Sequence, residues 1–407
     1  MPSSAAASAI AIWTAVGSLG IVVGPALGGY LVDTIGWSAV FWLNIPVVAA
    51  ALAGLAVAPN SRDSRRLPID LPGAALATTG MLALVYAIMQ GGEAGWTSPE
   101  ILVVGSIGVI LLGLFALVET RIANPMLPLE HFKRKDLAGS FIVLALLMGG
   151  MIGVFFFVTQ FLQLVQDRTA LVAGLALTPI AATMMIGTGI SAKASGRIGP
   201  RGLMVSATLI ILVGMGVFSQ IAVDSPYWLP VLGLMIFGLG AGIVMPTATD
   251  TIMAAVPVDD AGMGSALNDL SRELGFVVGI AVLGSLVTNL YRTDVTSEID
   301  GLVSPEGGST IGDSLGSVGA QTADLAPGVA ASVTQAANES FVDALSIGYL
   351  AAAGFTGIAL LVAARLIPKD VRRVQAEAPE VHGSQSDREG AQGVPVGAPA
   401  LSVSDAG

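Results

Sequence analysis

The chain has 407 residues, 54% of them hydrophobic and only 12% charged, with a mean hydropathy of +0.79. A water-soluble domain carries about 25% charged residues, so half that fraction leaves too little polar surface for a dissolved compact chain, and the apolar content excludes disorder as the main state. The absence of cysteine removes disulfides, thiolate metal sites and a cysteine nucleophile, and the formal net charge of −11 would at first suggest a basic partner.

A bilayer core takes about 20 apolar residues per helix. That ruler finds ten spans, near 7–31, 38–59, 71–91, 100–119, 138–160, 172–192, 203–223, 229–250, 263–290 and 342–366. Backbone groups in lipid must pair within their own segment, so each span is predicted to be helical. The 51 glycines would weaken helices in water, but in a membrane they let helix backbones approach closely. Asn60 to Asp70 ends the second span, and Pro72 sits in the first turn of the third. Thr120 to Asp136 is a polar connection with a basic cluster. Residues 291–340, rich in Gly, Ser, Ala and acids, read as a long hydrophilic loop with a short helix around 328–339. From Ile367 the composition predicts a disordered tail. The fold class is therefore an all-α, polytopic membrane protein with about ten transmembrane helices.

Placing both termini in the cytoplasm puts 16 of the 18 basic residues on the inner side and leaves only Arg168 and Arg292 outside. The opposite orientation reverses those numbers and breaks the positive-inside rule. The net negative charge then falls mostly on the outer segment 291–340 and the tail, which removes the argument for a basic macromolecular partner. There is no basic patch with interleaved aromatics, so nucleic-acid binding has no support. The partners this leaves are the lipid bilayer, a small-molecule substrate and protons.

Four features stand out inside the spans. In the first, Gly17, Gly20, Gly24 and Gly28 are spaced 3, 4 and 4 and share one helix face, and Pro25 removes one backbone donor beside them; Gly29 completes the motif. By itself this strip reads as a close helix–helix contact. In the ninth span Asp269, Arg272 and Glu273 follow i, i+3, i+4 spacing and read as one ion cluster, next to Asn268. If that helix starts near Ala261, Glu273 lies about 18 Å in, near mid-bilayer, where ionisable groups mark function; if it starts near Leu270, the cluster is structural and lies at the cytoplasmic interface. In the fifth span Phe156, Gln160 and Gln163 follow i, i+4, i+7 spacing, which suits either a wall for an apolar or cationic ligand or a face turned to lipid. Asp33, Glu119 and Asp250 lie at span ends, and read respectively as a local cap, a partner for nearby arginines and a solvated helix terminus. Neither His131 nor His382 lies in a span, and no metal set, phosphate-binding loop or buried nucleophile with a base is visible, so an enzyme is not expected.

The Gly-x-x-x-Gly-Pro-x-x-Gly-Gly run of Gly20 to Gly29, then Asp33 and Gly36 to Pro46, resembles the antiporter motif and following span of the major facilitator superfamily, in its fourteen-span drug:proton antiporter branch. Glu119 to Phe132, Gln160 to Gln163, Ala173 to Pro179 and Gly264 to Gly279 are similar to later stretches of that branch, and Ser195 to Arg201 to its charged loop between the second and third spans. The resemblance implies a major-facilitator-type bundle lacking the first four spans. Residues 1–60 would be a two-span remnant of the N-terminal bundle, 61–120 two central linker spans, 121–366 the C-terminal six-helix bundle with its outer loop 291–340, and 367–407 a cytoplasmic tail. Met1 would be an internal or misassigned start, or the chain a gene fragment. It implies a multi-pass protein of the cell membrane that exports small apolar or cationic compounds, with no cofactor and the proton gradient as energy source. Asp269, Arg272 and Glu273 would couple to protons, and Phe156, Gln160, Gln163 and Asn268 would line the substrate cavity. The alternatives are a non-transporting remnant or scaffold, and an exporter of a lipid or secondary metabolite.

Overall fold

The computed structural model describes residues 20, 23–57, 70–122, 125, 127, 129–256 and 261–369. Most of the first span, including Gly17, and the tail beyond Lys369 lie outside the described residues.

The described chain is a succession of helices: α1 (23–34), α2 (Ser38–Val57), α3 (Leu71–Ala94), α4 (Pro99–Glu119), α5 (Lys135–Gln160), α6 (Ala170–Phe218), α7 (Trp228–Ala254), α8 (Ala261–Glu298), α9 (Pro305–Asp313), α10 (Val318–Thr322) and α11 (Pro327–Leu366). Among the described residues eight of them are long and apolar enough to cross a membrane. At about 1.5 Å per residue the 49 residues of α6 would run more than twice the hydrocarbon core of about 30 Å. The chain breaks that run at Gly199, where φ is +72°, a conformation that favours glycine, and Pro200 starts the second arm. The two arms are the expected sixth and seventh spans, α1 carries the described part of the first, and each of the other seven expected spans falls on a helix.

Local chemistry sets the helix starts. Asp70 accepts the Gly73 N–H at 2.8 Å with Pro72 in the first turn of α3, and Ser98 accepts the Ile101 N–H at the start of α4. Helices α5, α6, α7, α8 and α11 form one bundle with α5 packed on α7, α8 and α11; α3 and α4 pair as a hairpin, and α3 rests on α8. Helix α2 is exposed along nearly its whole length.

Glycine sets how closely these helices approach. At the α5–α8 crossing, Gly149 faces Gly275 and Gly279, and a methyl added at Gly275 would meet the Ala145 carbonyl, one at Gly279 the backbone of Gly149. In lipid there is no hydrophobic drive between helices, so such backbone-to-backbone contact supplies the dispersion that holds them. Helix α7 sits between both arms of α6, with Gly238 and Gly242 against Ile180 and Met184 of the first and Gly240 against Ala207 and Ile211 of the second.

Segment 291–340 corrects an expectation, because it is not a loop. Helix α8 continues through it to Glu298, α9 and α10 follow, and α11 starts at Pro327 and runs unbroken for 40 residues to Leu366. At about 1.5 Å per residue α8 and α11 each extend well past a core of about 30 Å, and their outer halves fold with α9 and α10 into a cap. The cap has its own core: Val295, Ile299, Ile311, Val333 and Ala337 are fully buried, and Tyr291 packs edge-on against Phe341 with ring centroids 5.7 Å apart. The Tyr291 hydroxyl donates to the Ile311 carbonyl at 3.0 Å, and Arg292 pairs with Asp313 at 3.3 Å. Mean hydropathy hides this, because Tyr291, Val295 and Ile299 bury one stripe at i, i+4, i+8 spacing while polar and charged residues occupy the positions between them.

Candidate functional site

The first candidate surface is where α1 meets α6. Gly29 is buried against Ala170 and Leu171, and Gly174 against Pro25 and Ala26, so that a methyl on either glycine would strike backbone. Pro25 and Gly29 are one helical turn apart and face α6 together. The predicted strip does not make this contact: Gly20, Gly24 and Gly28 have nothing within 4 Å of where a side chain would start. The motif is thus read on a different face from the one its glycine spacing favoured, because the contact needs the Pro25 carbonyl side of the helix.

Asp33 continues that contact beyond the outer end of the first span. Its carboxylate accepts the Leu171 N–H at 2.8 Å and the Ala170 N–H at 3.1 Å, so it caps the first arm of α6 from 137 residues away in sequence, not locally as expected. Thr169 adds the ordinary cap, accepting the Val172 N–H. An anion at the free N–H groups of a helix start is favoured by both hydrogen bonding and the helix dipole. The Leu171 N–H above all holds the Asp33 carboxyl below the usual carboxylate range, with desolvation opposing and Thr169 and Ala170 adding. A lowered carboxyl pKa contributes stability at pH above the ordinary aspartate value of about 3.9, and that contribution is lost as pH falls through the lowered folded-state value. Amide exchange at Ala170 and Leu171 is therefore expected to stay protected from neutral pH down through that range and to quicken below it, beyond the intrinsic pH dependence of exchange. In Asp33→Asn the two amides should exchange faster at neutral pH and show no such transition; an unchanged profile would refute the cap.

On α8, which starts at Ala261, Glu273 lies twelve residues in, the nearer-to-centre of the two positions considered. Asp269 and Glu273 are exposed and Arg272 is half-buried. Successive residues turn by about 100° on a helix, so the two carboxylates are about 40° apart, while Arg272 lies about 60° to the other side of Asp269 and about 100° from Glu273. The expected three-member cluster is accordingly not formed: among the described residues no ion pair joins Asp269, Arg272 and Glu273. The carboxylates share an exposed face with Ser265, and Arg272 turns toward the packed side. Asn268 is buried, and its side-chain oxygen accepts the Thr249 hydroxyl at 2.8 Å, tying α8 to α7.

The four residues expected along one cavity are divided. Phe156 lines a cavity of about 290 Å³ in the outer half, between α3, α5 and α8, with Met89, Gln90 and Ser285. Gln160 and Gln163 are half-buried and line none of it. A π turn over Phe161–Val165 follows Gln160, and its slower winding per residue takes Gln163 out of phase with Phe156. Asn268 is seventeen residues from Ser285, so about 25 Å along the same helix toward the cytoplasm. At the inner end of α4, Glu119 is buried and accepts the Leu127 N–H at 3.2 Å.

Long helices crossed at glycine contacts, eight of them among the described residues long and apolar enough to cross a membrane, define a polytopic α-helical membrane protein. The family model of the Major Facilitator Superfamily matches residues 1–280, and the chain belongs to that superfamily as a multi-pass protein of the cell membrane. It is 32% identical over 365 residues to the multidrug efflux pump LfrA of Mycolicibacterium smegmatis, covering 88% of this chain and 72% of that protein. It is 34% identical over 284 residues to the multidrug resistance protein Stp of Mycobacterium tuberculosis, covering 69% of this chain and 52% of Stp. With the puromycin resistance protein pur8 of Streptomyces alboniger the identity is 32% over 309 residues, covering 72% of this chain and 61% of that relative. The chain thus spans between about half and three-quarters of the length of these relatives.

Proposed function

We propose that this chain acts in proton-coupled export of small apolar or cationic compounds, drugs and antibiotics of the kind named for its relatives. The observation that carries the reading is the pair of exposed carboxylates, Asp269 and Glu273, on one face of α8 some 12 to 18 Å from the helix start at about 1.5 Å per residue. Charge at that depth is costly against lipid and is tolerated where it faces water or a protein cleft. With Arg272 turned aside, neither carboxylate is held in an ion pair with it, so the face does not read as a purely structural ion cluster. The close approach of Gly29 to Ala170 and of Pro25 to Gly174 supports the same reading, since it holds α1 flush on α6. The proton gradient is the energy source in this reading, and no cofactor is called for.

The test is proton flux driven by a cationic dye in vesicles holding only these residues. Flux is expected in the unchanged chain and is expected to fall by at least about tenfold in Glu273→Gln, the usual scale for losing a positioned proton carrier. Flux that survives in both Glu273→Gln and Asp269→Asn would overturn the assignment. No flux in the unchanged chain would favour the alternative of a non-transporting remnant or scaffold.

A further inference from the structure

A second cavity, of about 390 Å³, lies at the cytoplasmic ends of both arms of α6 and of α7, and no residue of α8 lines it. Small-molecule sites run to about 300–1,000 Å³, so its size suits a compact organic ligand. Thr188, Ser191, Ser195, Thr247 and Thr251 line it together with Asp250, its one ionisable wall residue.

The hydrogen bonds of these hydroxyls decide what the cavity can hold. Thr247 donates to the Ile243 carbonyl at 2.7 Å, Thr251 to the Thr247 carbonyl at 2.8 Å and Ser195 to the Ala192 carbonyl at 3.2 Å. Pro246 has no N–H, which frees the Gly242 carbonyl one turn earlier, and Thr188 donates to that oxygen across the helices at 3.2 Å. Ser191 and Thr247 are 2.9 Å apart, and with the Thr247 proton already committed Ser191 is the donor. Every one of these five hydroxyls has used its single proton and presents only lone pairs. A wall of acceptors with a carboxylate at its mouth asks for a ligand that brings both a positive charge and N–H donors. Among the described residues no cation lines the cavity: Lys193 and Arg197 of α6 are exposed, and the half-buried Arg201 is not part of its wall.

We propose that this cavity is a binding site for a protonated amine carrying a small apolar group, with Asp250 as counter-ion and the hydroxyls accepting from the ammonium. The site goes beyond the export reading, since it lies within one bundle and requires no proton coupling.

The probe is benzylammonium, titrated into the full chain in detergent by calorimetry, against benzyltrimethylammonium, which has the charge without donors, and benzyl alcohol, which has a donor without the charge. Benzylammonium is expected to bind about tenfold or more tightly than the trimethyl analogue, and the alcohol not to saturate, as follows from losing a charge-assisted hydrogen bond. Asp250→Asn should weaken benzylammonium by about tenfold on the same ground, and Ala192→Phe, which fills the cavity from its exposed rim, should abolish binding at an unchanged thermal midpoint. Equal affinity for the three probes, or unchanged binding in Asp250→Asn, would overturn the site. The probe series on the unchanged chain decides the matter even where a variant misfolds. Loss of dye-driven flux with benzylammonium binding intact would overturn the export reading and leave this site standing.

Discussion

Gly279→Val is expected to lower the thermal midpoint of the chain in detergent sharply, corresponding to about 3 kcal/mol or more of lost stability, the upper part of what overpacking a closely fitted interior costs. The reason is that the position has no give. A side chain at Gly279 would run into the Cα and carbonyl of Gly149, which are backbone, and the helix carrying them is in turn held by Gly275 against Ala145. Relief would need α5 and α8 to separate, and α5 is also packed on α7 and α11, so the strain reaches the whole bundle. Gly284, five residues on in the same helix, has nothing within 4 Å, and Gly284→Ala should hold or slightly raise the midpoint, since alanine favours helix by about 1 kcal/mol over glycine. Equal midpoints for the two variants would mean that the crossing is not as close as the structure has it.

Gly174→Val should detach α1 from α6. The added atoms would meet the Pro25 carbonyl, and moving α1 outward by the width of a methyl group breaks the two Asp33 hydrogen bonds to Ala170 and Leu171. The overpacking itself costs about 1–3 kcal/mol. The expected readout is fast exchange at the Ala170 and Leu171 amides, as in Asp33→Asn, although Asp33 is untouched. Gly24→Ala and Gly28→Ala, on the strip that sequence spacing singles out, should leave both amides protected. The reverse pattern, with Gly24→Ala disruptive and Gly174→Val silent, would assign the contact to the glycine strip after all.

The two faces of α1 illustrate where the sequence is legible. A run of glycines at helical spacing announces that some backbone comes close, but a one-dimensional pattern has no partner in it. Only α6, arriving with Gly174 in register, selects Pro25 and Gly29. The α8 charges behave alike. Spacing of three and four residues placed Asp269, Arg272 and Glu273 near one another, and the structure separates them because Arg272 points toward the packed side while the carboxylates remain exposed. The wall of spent hydroxyls around Asp250 left almost no trace in the sequence beyond Thr247 and Thr251 at i, i+4 spacing. Its character depends on which carbonyl each proton reaches, and one of those, Gly242, is made available by Pro246 and used from another helix.

Composition and hydropathy by themselves determined a polytopic helical membrane protein and where its described spanning helices lie, and the placement of the basic residues gave an expected orientation. These follow from the bilayer acting as a solvent, which tests each stretch of about 20 residues independently of the others. The tertiary structure decided what depends on two segments at once: the close face of α1, the parting of the α8 charges, the cavity at the inner ends of α6 and α7, and the folded cap. Residues 291–340 looked like loop because their apolar residues are few, yet Tyr291, Val295 and Ile299 meet Ile311, Val333 and Phe341 from elements up to fifty residues away, and burying that shared stripe is what makes the segment helical.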